Sequence, residues 1–132
     1  MEGKDLSAYF KSIVDQDRIH VVICNLKHEI IYMNPAAVKR YAKRGGAALV
    51  GKSLFECHNP HSVSIIEKAV AWFAESVEHN IIYTYRNEKE NKDVYMVALR
   101  DDAGTLIGYY EKHEYRDAEQ GALYDFGEKQ EG

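Results

Sequence analysis

Apolar positions along this chain follow a helical rhythm in its first two thirds and an alternating one in its last third, with one early β-branched interruption. Leu6, Tyr9, Phe10, Ile13 and Val14 recur at helical spacing and predict a short amphipathic helix over 5–14. Arg18 to Asn25 then becomes β-branched (Ile19, Val21, Val22, Ile23), and Glu29 to Met33 forms a second brief apolar run. The short polar interval between them predicts a hairpin. Asn34-Pro35 is a helix-start signal: asparagine accepts from free backbone N–H groups, and proline in the first turn has its φ preset. The helix it opens is expected to carry Ala37, Val38 and Tyr41 and to stop at Gly45-Gly46.

Gly51 to Cys57 reads as a short helical turn, after which Asn59-Pro60 repeats the start signal. The longest helix is expected from there to about Val77, with Ile66, Ala69, Val70, Phe73 and Val77 on one stripe. Ser64 and Glu67 offer a capping box one turn later, so two starts are open. Beyond it, Ile81–Arg86, Val94–Arg100 and Thr105–Tyr115 predict three strands. Residues 87–92 are expected as a solvated hairpin tip and Asp101-Asp102-Ala103-Gly104 as a tight turn. Helices placed between two groups of antiparallel strands define an α+β domain: a single antiparallel five-stranded sheet with helices on one face, plus an N-terminal helix. The expected division is 1–17 as an N-terminal cap, 18–116 as the domain proper and 117–132 as a flexible tail. A cavity between the sheet and the longest helix is the expected ligand site.

The chain has 132 residues, enough for one core and no more. A net charge of −4 argues against general affinity for nucleic acid or for an anionic membrane surface. No apolar run approaches the roughly 20 residues of a spanning helix, and the first residues lack a secretion-signal layout. Cys24 and Cys57 are too few for a disulfide framework and are expected as reduced thiols in a cytoplasm. Ten tyrosines is a high count, suited to half-buried sheet faces and polar-tipped pockets.

Ile31-Tyr32-Met33-Asn34-Pro35-Ala36-Ala37, Gly51-Lys52-Ser53-Leu54-Phe55-Glu56 and Asp102-Ala103-Gly104-Thr105-Leu106-Ile107-Gly108 stand in an order and at a spacing that resemble PAS domains. The resemblance runs from Asp15 to Glu119. Cys57-His58-Asn59-Pro60-His61-Ser62 is similar to the Cys-His-Pro-Pro-x-Ser run of PAS domains that accompany hemerythrin-like domains, with Asn59 replacing the first proline. Arg116-Asp117-Ala118-Glu119 occupies the place of the Asp-Ile-Thr-Glu linker of many relatives and shares only its acidic positions. The resemblance implies a PAS-like fold and a bacterial-type sensory or protein-interaction module without catalysis of its own. It further implies a small molecule in the pocket, a homodimer built through the leading helix, and a separate signalling protein as partner.

His58 and His61 are the sharpest candidates for cofactor chemistry, because imidazole is a good axial ligand for haem iron and PAS haem sensors draw a histidine from this region. Met96 on the middle C-terminal strand could complete a His–Met pair. The competing reading has a histidine bonded to loop backbone and Met96 as core filler. Zinc would need Cys24 as a fourth ligand beside Cys57, His58 and His61, from a distant strand. A flavin adduct at Cys57 lacks its Asn-Cys-Arg-Phe surroundings. Ile66, Val70, Phe73, Tyr85, Met96 and Tyr110 are the expected pocket lining. Lys39, Arg40, Lys43 and Arg44 form a basic cluster expected on a solvated helix face, or at a partner patch. An Asp101–His113 dyad is the one enzymatic alternative, weakened by their positions in a turn and near a strand's far end.

Overall fold

A computed structural model describes residues 5–127. Its order is α1 (Ser7–Gln16), β1 (Val22–Asn25), β2 (Ile30–Met33), α2 (Pro35–Arg40), three short 3-10 turns, α3 (Pro60–Glu75), β3 (Ile81–Asn87), β4 (Lys92–Arg100) and β5 (Leu106–Tyr115). The five strands make one antiparallel sheet in the order β2-β1-β5-β4-β3. Two strand groups far apart in sequence thus meet where β1 pairs with β5, Ile23 opposite Tyr110 and Cys24 opposite Tyr109. Gly108 makes this seam fit: a Cβ there would lie 2.2 Å from the Cys24 carbonyl oxygen, well inside any real contact.

Asn34-Pro35 and Asn59-Pro60 both start helices in the expected way. Asn34 Oδ1 accepts from the Ala37 N–H at 2.9 Å and Asn59 Oδ1 from the Ser62 N–H at 2.8 Å. The second bond settles the start of α3 at Asn59 rather than at Ser64. Helix α3 ends at Glu75, and Val77 beyond it is exposed, so Val77 is not part of the buried stripe. Arg100 closes that end: its guanidinium donates to the carbonyls of Phe73 and Ser76 at 2.7 and 2.9 Å.

Three further boundaries move. The first strand begins at Val22 because the preceding residues are satisfied by Asn34 instead of a partner strand. Asn34 Oδ1 accepts the Val21 N–H, and its Nδ2 donates to the Ile19 carbonyl. Helix α2 stops at Arg40, and the chain continues through turns at Ala42–Arg44 and Gly46–Leu49, with Gly45 between them at φ 126° and Gly46 opening the second at φ 53°. A third turn, Leu54–Cys57, carries a complete capping box between Ser53 and Glu56. In the β3–β4 tip, Lys92 is a ladder residue opposite Asn87 and Tyr115 and is buried, contrary to the expected solvated loop. Its ammonium lies 3.5 Å from Glu90 and over the Tyr115 ring.

Ile66, Ala69 and Phe73 of α3 join Met96, Tyr109, Cys24, Ile30 and Met33 in one core. Residues 117–127 of the expected tail form neither helix nor strand. The rest of that tail, 128–132, and the start of the expected cap, 1–4, lie outside the described residues. Among the described residues no helix is long and apolar enough to cross a membrane.

Candidate functional site

Strands β1, β2 and β5 and the segment joining α2 to α3 enclose a cavity of about 180 Å³. The strands contribute Val22, Cys24, Ile30, Met33, Tyr109, Glu111 and His113, with His20 from the approach to β1; the connecting segment adds Tyr41, Arg44, Leu49, Leu54, Cys57 and His58. Alternation explains the β5 contribution, since residues 109, 111 and 113 share one face of the strand. No residue of α3 lines this space. That corrects the expected position beneath the longest helix: Ile66, Ala69 and Phe73 fill that region against Met96, and the cavity opens beside it, where the α2–α3 segment arches over the sheet.

Of the residues expected as cofactor ligands or pocket lining, His58 alone lines the cavity; Cys24 and Cys57, weighed with it for zinc, and His113, weighed for a dyad, line it too. His61 is exposed on the first turn of α3. Met96, Ile66 and Phe73 are buried in the core, and Val70 packs against it. Tyr85 is exposed, and Tyr110 points to the opposite sheet face from its neighbours Tyr109 and Glu111. His58, His61 and Met96 are therefore not brought together. Asp101 is spent on its own turn, accepting from the Ala103 and Thr105 N–H groups, while His113 sits opposite Val94, about 20 Å along the ladder. Among the described residues, no three His, Cys, Asp or Glu side chains gather to hold a metal ion.

The polar groups fall into three sets. At one end the His20 and His113 rings lie against each other with centroids 4.0 Å apart and planes tilted by 36°, and the His20 and Tyr41 rings meet in a T-shaped contact. Burial, reinforced by the positive charges of Arg40 and Lys92, lowers His20 to about 4. Burial, His20, Lys92 and Arg40 lower His113 to about 3, so both imidazoles are neutral at neutral pH. Near the opening, His58 Nδ1 donates to the Leu54 carbonyl at 3.0 Å and Nε2 faces Glu111 at 3.8 Å. The Glu111 contact is the main cause that raises the His58 pKa, against the opposing effect of burial. Along the sheet, Tyr109 is fully buried, and its hydroxyl meets His28 Nδ1 at 2.7 Å while the His28 ring stacks on Phe55. Burial raises the Tyr109 hydroxyl far above its ordinary range and pushes the neighbouring Cys24 thiol up to about 12, leaving both protonated.

This lining does not fit a haem. The cavity is smaller than the roughly 300–1,000 Å³ of drug-sized ligand sites, and the macrocycle is larger than most such ligands. Both His58 nitrogens already face partners, and Met96 lies outside the lining. His20, Tyr41, Arg44, Tyr109 and Glu111 are lining residues the sequence reading did not nominate, and His113 was considered only as half of a dyad. The signal available was the polar alternation Tyr109, Glu111, His113 on an otherwise apolar sheet.

No protein-family model matches the chain, and no curated protein is significantly similar to it. Solved structures do match in three dimensions. The PAS domain of a protein from Colwellia psychrerythraea aligns with a TM-score of 0.61 at 14% identity, covering 85% of this chain and 98% of that one. A sensory box sensor histidine kinase from Vibrio cholerae aligns at 0.55 with 15% identity, over 83% and 90% of the two chains. The PAS domain of BvgS from Bordetella pertussis aligns at 0.50 with 13% identity, over 86% and 88%. The chain has the PAS fold.

Proposed function

We propose that this domain is a sensory module of signal transduction that takes up a small molecule in the cavity between β1, β2, β5 and the 41–58 segment. The observation that carries this reading is the cavity itself: an apolar body formed by Val22, Cys24, Ile30, Met33, Leu49 and Leu54, with polar groups converging at its ends. That is the usual make-up of a small-molecule site. Similarity in fold to sensor domains supports the assignment to signalling, and two free cysteines suit a reducing cytoplasm.

A ligand would act by favouring one arrangement of the 41–58 segment over another, with leverage no larger than its difference in affinity between the two. His20 and Met33, both in the lining, flank a short path to α1 through Asn34, whose Nδ2 also donates to the Val14 carbonyl. Helix α1 buries none of its residues, so a second copy of the chain or a separate signalling protein is the natural receiver at its apolar side.

Amide spectra of the chain titrated with a set of small apolar and amphiphilic compounds test the reading. Binders are expected to shift signals in 41–58 and β5, and Leu49→Trp, which fills the cavity, is expected to abolish those shifts. Binding indifferent to Leu49→Trp, or no binder at all, would overturn it.

A further inference from the structure

His20 and His113 both line the cavity, and one nitrogen of each ring, Nε2 of His20 and Nδ1 of His113, is closed off from solvent and cavity alike and has no hydrogen-bond partner. His20 is 5% exposed, so its orphan atom is a desolvated polar group of the kind that destabilises a fold when left unmet. The surroundings of this ring pair carry net positive charge. Arg40 and Lys92 stand against the single carboxylate of Glu90, which accepts from Arg40 at 3.1 Å through both oxygens. Burial raises the Tyr41 hydroxyl above its ordinary range, so it meets the His20 ring as a neutral phenol, and Glu111 stands two residues from His113 on the same face of β5.

At the opening, Arg44 is the one exposed residue of the lining, and Lys43, its neighbour in the chain, is exposed as well. Such a rim favours the approach of anions. Glu111 is the one carboxylate in the lining, and His58 faces it. The volume, about 180 Å³, compares with the roughly 150 Å³ of an apolar cavity that takes up benzene. One ring or a short branched chain with a small head group fits it.

We infer, resting on the cavity reading above, that the ligand is a small monocarboxylate with a compact apolar body, its carboxylate seated on His20 and His113. The apolar body lies against Val22, Met33 and Leu49, and the two rings turn on binding to present their unpartnered nitrogens to the head group. Because the imidazoles are neutral in the free protein, an arriving carboxylate makes their protonated form favourable. A proton is therefore taken up on binding, and binding tightens as pH falls. Arg40, Lys92 and Arg44 add long-range attraction, opposed by Glu90 and Glu111.

Three probes of nearly one shape separate the claims: benzoate, benzamide and toluene, each titrated into the full chain while amide and histidine ring-nitrogen spectra are recorded. Benzoate is expected to bind at least tenfold more tightly than either neutral probe at pH 6, and more tightly at pH 6 than at pH 8. It is also expected to move the His20 and His113 ring signals towards imidazolium. His20→Phe and His113→Phe are each expected to remove the preference for benzoate while toluene still enters. Equal binding of benzamide or toluene overturns the inference but leaves the cavity reading intact. Benzoate bound with both ring signals unmoved does the same. Failure of all three probes to bind, together with failure of the wider compound set, overturns both. Should the substituted chains not fold, the ring signals of the unaltered protein decide the matter.

Discussion

The side chain of Asn34 holds the end of α1 in place by donating from Nδ2 to the Val14 carbonyl at 2.9 Å. The same nitrogen reaches the Ile19 carbonyl at 3.0 Å, and Oδ1 accepts from Val21 and Ala37 at 2.9 Å each. Asn34 has no exposed surface. One amide group therefore ties α1, the approach to β1, the end of β2 and the start of α2. Asn34→Ala leaves buried N–H and C=O groups unmet and is expected to cost about 2–4 kcal/mol. Asn34→Asp keeps the cap on α2 but turns a donor into a second acceptor facing two carbonyls. Urea unfolding of both variants, with amide exchange in α1, checks this: the aspartate variant is expected to release α1 while α2 stays protected.

Arg100 makes a comparable junction at the other end of the sheet. Its Nε donates to Asn80 Oδ1 at 2.7 Å, Nη1 to the Gly104 carbonyl at 3.1 Å, and Nη2 to the carbonyls of Phe73, Ser76 and His79. A cation here also complements the negative end of the α3 dipole. Lysine keeps the charge but lacks the planar fork that reaches several acceptors at once. Arg100→Lys is expected to lose about 1–3 kcal/mol, and Arg100→Met somewhat more, because charge and hydrogen bonds then go together. Thermal unfolding of the two variants measures the difference. Equal stability of Arg100→Lys and the parent would show that charge alone matters.

Much of this fold was readable from residue order. The two Asn-Pro signals and the helical stripe of α3 located the helices, and the late switch to alternation located β3, β4 and β5. The cavity was not readable in the same way. Its place depends on whether α3 lies flat on the sheet, and that turns on the volumes of Ile66, Ala69 and Phe73 against Met96, a packing question that periodicity does not address. His20 is drawn in by the bonds of Asn34 to Ile19 and Val21, across 15 and 13 residues. The close approach at Gly108 exists only once β1 and β5 are paired, which is a tertiary fact. Lys92 looked solvated because its neighbours are charged, yet the ladder continues through it.

Acid should destabilise this protein through its buried imidazoles. Unfolded histidine titrates near 6.5, whereas folded His20 and His113 hold off protons to about 4 and 3. Between those values the unfolded chain binds protons that the folded chain refuses, so stability falls as pH drops from 6.5 towards 4. The slope approaches two protons, about 2.7 kcal/mol per pH unit at its steepest. His58 works in the opposite sense. Its folded pKa is raised, so its contribution is complete below 6.5 and is lost as pH climbs through the folded value. Stability is expected to peak near neutrality. Urea midpoints from pH 4 to 9 test this: His113→Phe should flatten the acid limb and Glu111→Gln the alkaline one.

A prediction of self-association rests on what α1 and the outer sheet leave uncovered. Tyr9, Phe10 and Ile13 are 63, 59 and 69% exposed on α1, and the outer sheet presents Ile31, Ile81, Tyr83, Tyr85 and Ile107. Exposed apolar residues scattered singly need no explanation, but a helical stripe beside a tyrosine-rich sheet face is a surface of the kind that associates. Both are present in every copy, so a two-fold arrangement can cover them mutually and close without further growth. Sedimentation of the full chain across a hundredfold concentration range is expected to show a dimer at the upper end. Phe10→Glu together with Ile13→Glu should return it to monomer without loss of fold, because neither side chain is buried within the single copy. A chain that remains monomeric throughout would leave α1 free for a different protein, and a dimer indifferent to both substitutions would place the contact on the sheet alone.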